Sequence, residues 1–194
     1  MGLGWFGAPE HTRWLAAETH ALLAYARAAR VPSGFGWIGQ DGVVDRDHPV
    51  ELWITGRMTF AFSLGALLGI PGCRRYADHG VRALRTAMRD TDHGGWYSAV
   101  GHQVDASGRA TPVDPLARKE CYQHAFVMLA AATAAAADRP GATELLGDVI
   151  EVVNRYWWDE AHGMPVESYA ADFTDPEDYR GINAAMHTVE AYLA

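Results

Sequence analysis

The sequence predicts an all-α fold of paired helices in a single domain spanning residues 1–194. Two observations carry that expectation. Six segments place apolar residues at helical spacing, and three short segments bearing glycine and aromatic residues set the helices apart in pairs. A chain of 194 residues suits one domain with a sizeable core. Its 49% hydrophobic and 21% charged residues are those of an ordinary globular protein.

The helices are expected near 9–29, 49–68, 73–89, 116–137, 141–157 and 181–194. Pro9 and Pro49 fit early helical positions, where a missing N–H leaves no bond unmade. In "PVELWITGRMTFAFSLGALL" (49–68), Trp53, Arg57, Phe60 and Leu64 fall on one stripe. An arginine within an apolar stripe either snorkels at its rim or faces a polar cavity. The intervening segments resemble one another. "FGWIGQDGVV" holds Gly36 and Trp37, "DHGGWYSAVGHQVDASGRATPV" holds Gly95 and Trp96, and "EAHGMPVESYAADF" holds His162 and Gly163. Gly36 and Gly95 are 59 residues apart, and Gly95 and Gly163 are 68 apart. Such periods suit stacked helical hairpins; a six-helix bundle without repeat symmetry is the other reading. The middle segment reads as a β-hairpin turning at Ala106-Ser107-Gly108. A hairpin array buries each unit on the next and needs capped ends. No capping glycine or proline follows the last helix, which reads as half of a larger array.

Charge and motifs exclude several functions. A formal charge of −8 and a pI near 5.5 argue against a nucleic-acid partner. The Arg74-Arg75 pair reads as a solvated helix face. "MGLGWFGAPEHTRW" lacks a basic segment followed by an apolar run, so no secretory signal is expected. The apolar stretch around 125–137 is alanine-rich and reads as a packed helix rather than a membrane span. Cys73 and Cys121 form neither a metal spacing nor a disulfide framework, which suits the cytoplasm. His93, His102 and His162 fall in loops without paired spacing, so no metal site is expected.

Four stretches carry a family resemblance: "FGWIGQDG", "ELWITGRMTFAFSLG", "KECYQHAFVMLAAA" and "YRGINAAMHTVEA", with "HGGWY" at 93–97 in support. In this order they resemble the N-acylglucosamine 2-epimerase superfamily over residues 14–194, in particular its mannose isomerase and sulfoquinovose isomerase branch. The resemblance implies an (α/α)6 barrel, six helical hairpins closed in a ring whose inner helices line a sugar pocket. Members are about twice this length. The chain is therefore expected to be the N-terminal half, three hairpins of six, with short β-hairpin loops. The ring would be completed by a C-terminal half or by a second copy. The implied activity is aldose–ketose interconversion of a mannose- or fructose-like monosaccharide through an enediol, with no metal and no nicotinamide cofactor. A 2-epimerase of the same superfamily, and an inactive half, are the alternatives. Ala185 departs from the branch pattern, where a second asparagine is expected, and leaves the sugar open.

The same resemblance assigns roles. Trp53 and Arg57, four residues apart, share a helix face; the indole would meet a sugar face and the guanidinium O1 or O2. There a fixed cation offsets charge developing on enediol oxygens. Tyr122 and Asn183 would hydrogen-bond sugar hydroxyls. His187 would be the catalytic acid or base, which suits imidazole. Read without the family, the same residues admit plainer roles: Arg57 paired with Glu51, Tyr122 half buried at an interface, and His187 paired with Glu190. His124 falls on another helix face and reads as structural. Trp96 and Tyr97 either wall the pocket mouth or pack over helix ends.

Overall fold

The computed structural model describes residues 5–194. Six helices carry the fold: α1 (Pro9–Ala26), α2 (Leu52–Leu67), α3 (Cys73–Arg82), α4 (Cys121–Ala136), α5 (Ala142–Val152) and α6 (Ile182–Leu193). They form three hairpins in sequence, a partial (α/α) toroid. In the inner row α4 lies between α2 and α6; in the outer row α3 backs α2 and α5 backs α4. α1 touches α2 only lightly. Among the described residues, no helix is long and apolar enough to cross a membrane.

Short strands join the helices: β1 (Arg30–Val31) with β2 (Gly34–Phe35), β3 (Val50–Glu51) with β4 (Ala99–Val104) and β5 (Ala110–Pro112), β6 (Lys119–Glu120) with β9 (Ser168–Tyr169), and β7 (Trp158–Asp159) with β8 (Met164–Pro165). All pairs are antiparallel. The β4–β5 hairpin turns where expected. Asp105 Oδ1 accepts the Ser107 and Arg109 amides at 2.8 and 3.0 Å, and Gly108 takes φ +84°, a region that favours glycine.

Two expected helix starts are corrected. Residues 49–51 and 116–120 are extended or irregular: Val50–Glu51 pairs with Val100–Ala99, and Lys119–Glu120 pairs with Tyr169–Ser168. Pro49 therefore precedes a strand and is not an early helical residue. The physical reason is the inner helix N-terminus, whose amides bond to a neighbouring loop. Leu52 N–H donates to the Ser98 carbonyl and Cys121 N–H to the Glu167 carbonyl, each at 2.9 Å. Gly181 N–H, one residue before α6, donates to Glu167 Oε2, also at 2.9 Å. The outer helices end in a wider turn at Ala83–Ala87 and at Val153–Trp157, which carries them close to the expected ends.

The main core lies between the two rows and includes Leu84, Met88, Trp96, Val127, Leu145 and Trp157. A smaller cluster of Leu23, Phe35, Phe62 and Tyr76 lies under α1. The inner helices approach closely. A Cβ on Gly56 of α2 would sit 2.9 Å from both Cβ and O of Phe126 on α4, so only glycine permits this crossing. A buried ion pair fastens the loops above them. Lys119 Nζ lies 2.6 Å from Asp90 Oδ2, with both side chains at most 2% exposed. Lys119 also donates to the Ala171 carbonyl, and Asp90 accepts the Asp92 and His93 amides. Three segments, 90–97, β6 and 168–175, are thereby held at one point.

Candidate functional site

Aligning the inner helices on their first residues shows what the loops alone do not. "ELWITGR", "ECYQHAF" and "GINAAMH" each place a distinctive side chain at the second and sixth helical positions. These are Trp53 and Arg57, Tyr122 and Phe126, and Asn183 and His187. Positions four apart share a face, so each inner helix presents its pair at the same height, near the N-terminal ends pinned by the loops.

Arg57 is the centre of the group. Its Nη2 donates to the Tyr122 hydroxyl at 3.0 Å. Its guanidinium carbon lies 4.2 Å from the Phe126 ring centroid, 5.0 Å from Trp53 and 5.8 Å from Tyr122. Faces of aromatic rings attract a cation without neutralising it. Among the described residues no carboxylate pairs with Arg57. Glu51, the acid proposed for it, instead accepts Trp37 Nε1 at 2.7 Å. Trp37 packs edge-on against Trp53, with centroids 5.8 Å apart.

His187 closes the group from α6. Its ring lies 5.3 Å from Tyr122, nearly perpendicular, and 4.7 Å from Phe126. Its Nδ1 is 2.8 Å from Glu190 Oε2, as in the plainer reading of this histidine. The two readings are compatible: a carboxylate accepts at Nδ1, and Nε2 has no hydrogen-bond partner among the described residues. Arg57 thus touches Trp53 and Tyr122, Tyr122 touches His187, and all four are half-buried. Asn183 stands exposed one turn before His187, without a hydrogen bond to any of them. Phe126, which touches both Arg57 and His187, was missed in the sequence; its shared position with Arg57 and His187 was the available signal.

Nearby groups are structural. His124 is buried, donates from Nδ1 to the Glu120 carbonyl at 2.8 Å, and accepts the Trp96 amide at Nε2. Burial pushes its pKa down to about 3, so it is neutral. Trp96 is fully buried, with its indole N–H on the Leu84 carbonyl, and is a packing residue. Glu120, beside Tyr122, is held above the usual carboxylate range although solvent reaches it. Crowding by the surrounding protein comes first, then the like charges of Glu167, Glu177 and Glu51; the Gln123 amide opposes them. Two apolar grooves of about 350 and 330 Å3 run along α1 and include none of Arg57, Tyr122 or His187.

The geometry defines a helical-hairpin toroid whose inner helices gather a guanidinium, a phenol and an imidazole on one face. The sequence pattern of the N-acylglucosamine 2-epimerase (GlcNAc 2-epimerase) family matches residues 34–194, and the chain belongs to that family. It is 44% identical over 191 residues to the D-mannose isomerase of Thermobifida fusca, covering 98% of this chain and 45% of that one. It is 40% identical over 190 residues to the D-mannose isomerase of Pseudomonas cannabina pv. alisalensis, covering 98% and 44%. The motifs pointed to the branch in which these relatives fall. Among solved structures, a crystal structure of D-mannose isomerase superposes with a TM-score of 0.79 at 25% identity, over 100% of this chain and 48% of that one. Cellobiose 2-epimerase from Spirochaeta thermophila shares the fold, with a TM-score of 0.76 at 24% identity over 95% and 49%. The chain therefore spans about half the length of the relatives it matches.

Proposed function

We propose that this chain is the N-terminal half of a sugar isomerase of the mannose isomerase type, acting in the cytoplasm on a free monosaccharide. The observation that carries the reading is Arg57: a half-buried guanidinium with no acidic partner among the described residues, held by the rings of Trp53, Phe126 and Tyr122 and bonded to the Tyr122 hydroxyl. An enediol formed between C1 and C2 develops negative charge on O1 and O2, and a fixed cation stabilises that charge more than it stabilises the neutral sugar. Tyr122, already bonded to Arg57, would orient a hydroxyl, and Trp53 would face the ring. Asn183, exposed on the α6 rim, would bind a further hydroxyl. His187 would take or return a proton through Nε2. Two buried, unpaired thiols, Cys73 and Cys121, suit a reducing compartment. The relatives at 40–44% identity support the reaction class, and their length supports completion of the ring by a C-terminal half.

The test is NMR of the protein in D2O with mannose and then with fructose. Ketose formed from mannose, with deuterium at C1, is the expected result. His187→Gln should lower the rate by about 10²–10⁴-fold, the usual share of general acid–base catalysis. A C2 epimer without ketose would establish an epimerase instead. No exchange from a folded sample would mean that these residues alone are an inactive half.

A further inference from the structure

We propose that Glu190 is the positioning residue of the site: it fixes the tautomer and ring orientation of His187 so that Nε2 presents its lone pair to the sugar. The inference rests on the reading of His187 as the proton-transfer group and adds the residue that makes it competent. A histidine ring has two freedoms to settle, which nitrogen carries the proton and which way the ring is flipped. Which nitrogen is protonated is set by the hydrogen bond the other makes. Here Nδ1 meets Glu190 Oε2 at 2.8 Å, and a carboxylate can only accept. Nδ1 therefore carries the hydrogen, and Nε2 is left as the acceptor.

The rings of Tyr122 and Phe126 hold the imidazole at 76° and 49° to their own planes and restrict its rotation. A flip would move the donor away from Glu190 and put a ring carbon in its place. The pair stands three residues apart on α6, so this arrangement needs only one helix. The His187 side chain is 15% exposed and the Glu190 side chain 47%, so the carboxylate lies on the solvent side and the imidazole on the site side. An ordinary helix-surface ion pair would influence helix stability alone. A positioning residue also determines which nitrogen reacts.

The experiment reads the tautomer directly, through 15N shifts and long-range 1H–15N correlations of the His187 ring, assigned with His187→Gln. The wild-type ring, when neutral, should carry its proton on Nδ1. In Glu190→Leu, which can neither donate nor accept, it should change to the Nε2–H form that free imidazole favours. Glu190→Ala should do the same, so the result does not depend on how one variant packs. A wild-type Nε2–H ring, or an unchanged tautomer in both variants, overturns the proposal. In the sugar assay, both variants should lose about tenfold to 100-fold in kcat with KM changed less than twofold. An unaltered kcat overturns the proposal as well. If the wild-type protein exchanges no deuterium, these residues alone are an inactive half, while the 15N data still decide the role of Glu190.

Discussion

At the scale of single residues, the site depends on Arg57 as a planar cation rather than a charge in general. A guanidinium stacks on Phe126 and Trp53 while donating to Tyr122; an ammonium cannot do all three. Arg57→Met should therefore reduce kcat by about 100-fold, the usual loss on removing one fixed donor to a developing oxyanion. Arg57→Lys should recover only part of it, as read by deuterium exchange with mannose. The arginine was legible in the sequence because it broke an apolar stripe. Phe126 was not, because a phenylalanine in an alanine-rich helix reads as core unless the helices are aligned on their first residues, and its contact with Arg57 shows otherwise. His124 gives a prediction of a different kind. Its folded pKa, about 3, lies below the ordinary value of 6.5. Between those values the unfolded chain binds the proton that the folded chain refuses. Its contribution to stability is thus complete above pH 6.5 and is lost as pH falls toward 3. At 1.36 kcal/mol per unit, the loss over this window is on the order of 5 kcal/mol. Urea midpoints measured from pH 7 to pH 4 should fall more steeply for the wild type than for His124→Gln.

At the scale of elements, the relation between α2 and α4 rests on Gly56. A methyl group there would meet the Phe126 backbone at 2.9 Å, and backbone yields less readily than a side-chain tip. Gly56→Ala should cost about 1–3 kcal/mol, the range for overpacking a tight contact. Because Arg57 is its neighbour, kcat should also fall, and thermal melts beside the exchange assay would register both. The Lys119–Asp90 pair fixes the loops in a similar way. Lys119→Met leaves a buried carboxylate without its cation, for a loss of about 3–5 kcal/mol. Adding Asp90→Asn should recover part of that, which urea titration of the double variant would detect. The helices themselves were legible, since their apolar periods need no partner to be seen. The two-residue strands β3 and β6 were not. Two residues have no period, and Val50 and Lys119 become strands only because Val100 and Tyr169 lie opposite them.

At the scale of the whole molecule, the two sides of the partial toroid differ from its backed surfaces. On α6, Ile182, Met186, Val189 and Leu193 recur at helical spacing and are 81%, 55%, 58% and 84% exposed. This stripe lies beside the face that carries Asn183 and His187. At the other end, Leu22 of α1 and Leu64 and Leu68 at the end of α2 are also exposed. Lone exposed apolar residues are common, whereas four in a row along one helix form a contiguous patch of the kind that associates. In a closed toroid each inner helix has neighbours on both sides, as α4 has α2 and α6; α6 has such a neighbour only through α4. The 194-residue chain should therefore self-associate in a concentration-dependent way in sedimentation velocity. Val189→Glu with Leu193→Glu should shift it toward monomer with an unchanged far-UV spectrum, since neither residue contributes to the core. The same pair of substitutions should leave the Arg57–Tyr122–His187 contacts intact, because they act on the adjacent face of the helix. A chain that stays monomeric at all concentrations would show that this stripe needs no cover, and with it that the partial toroid is stable alone.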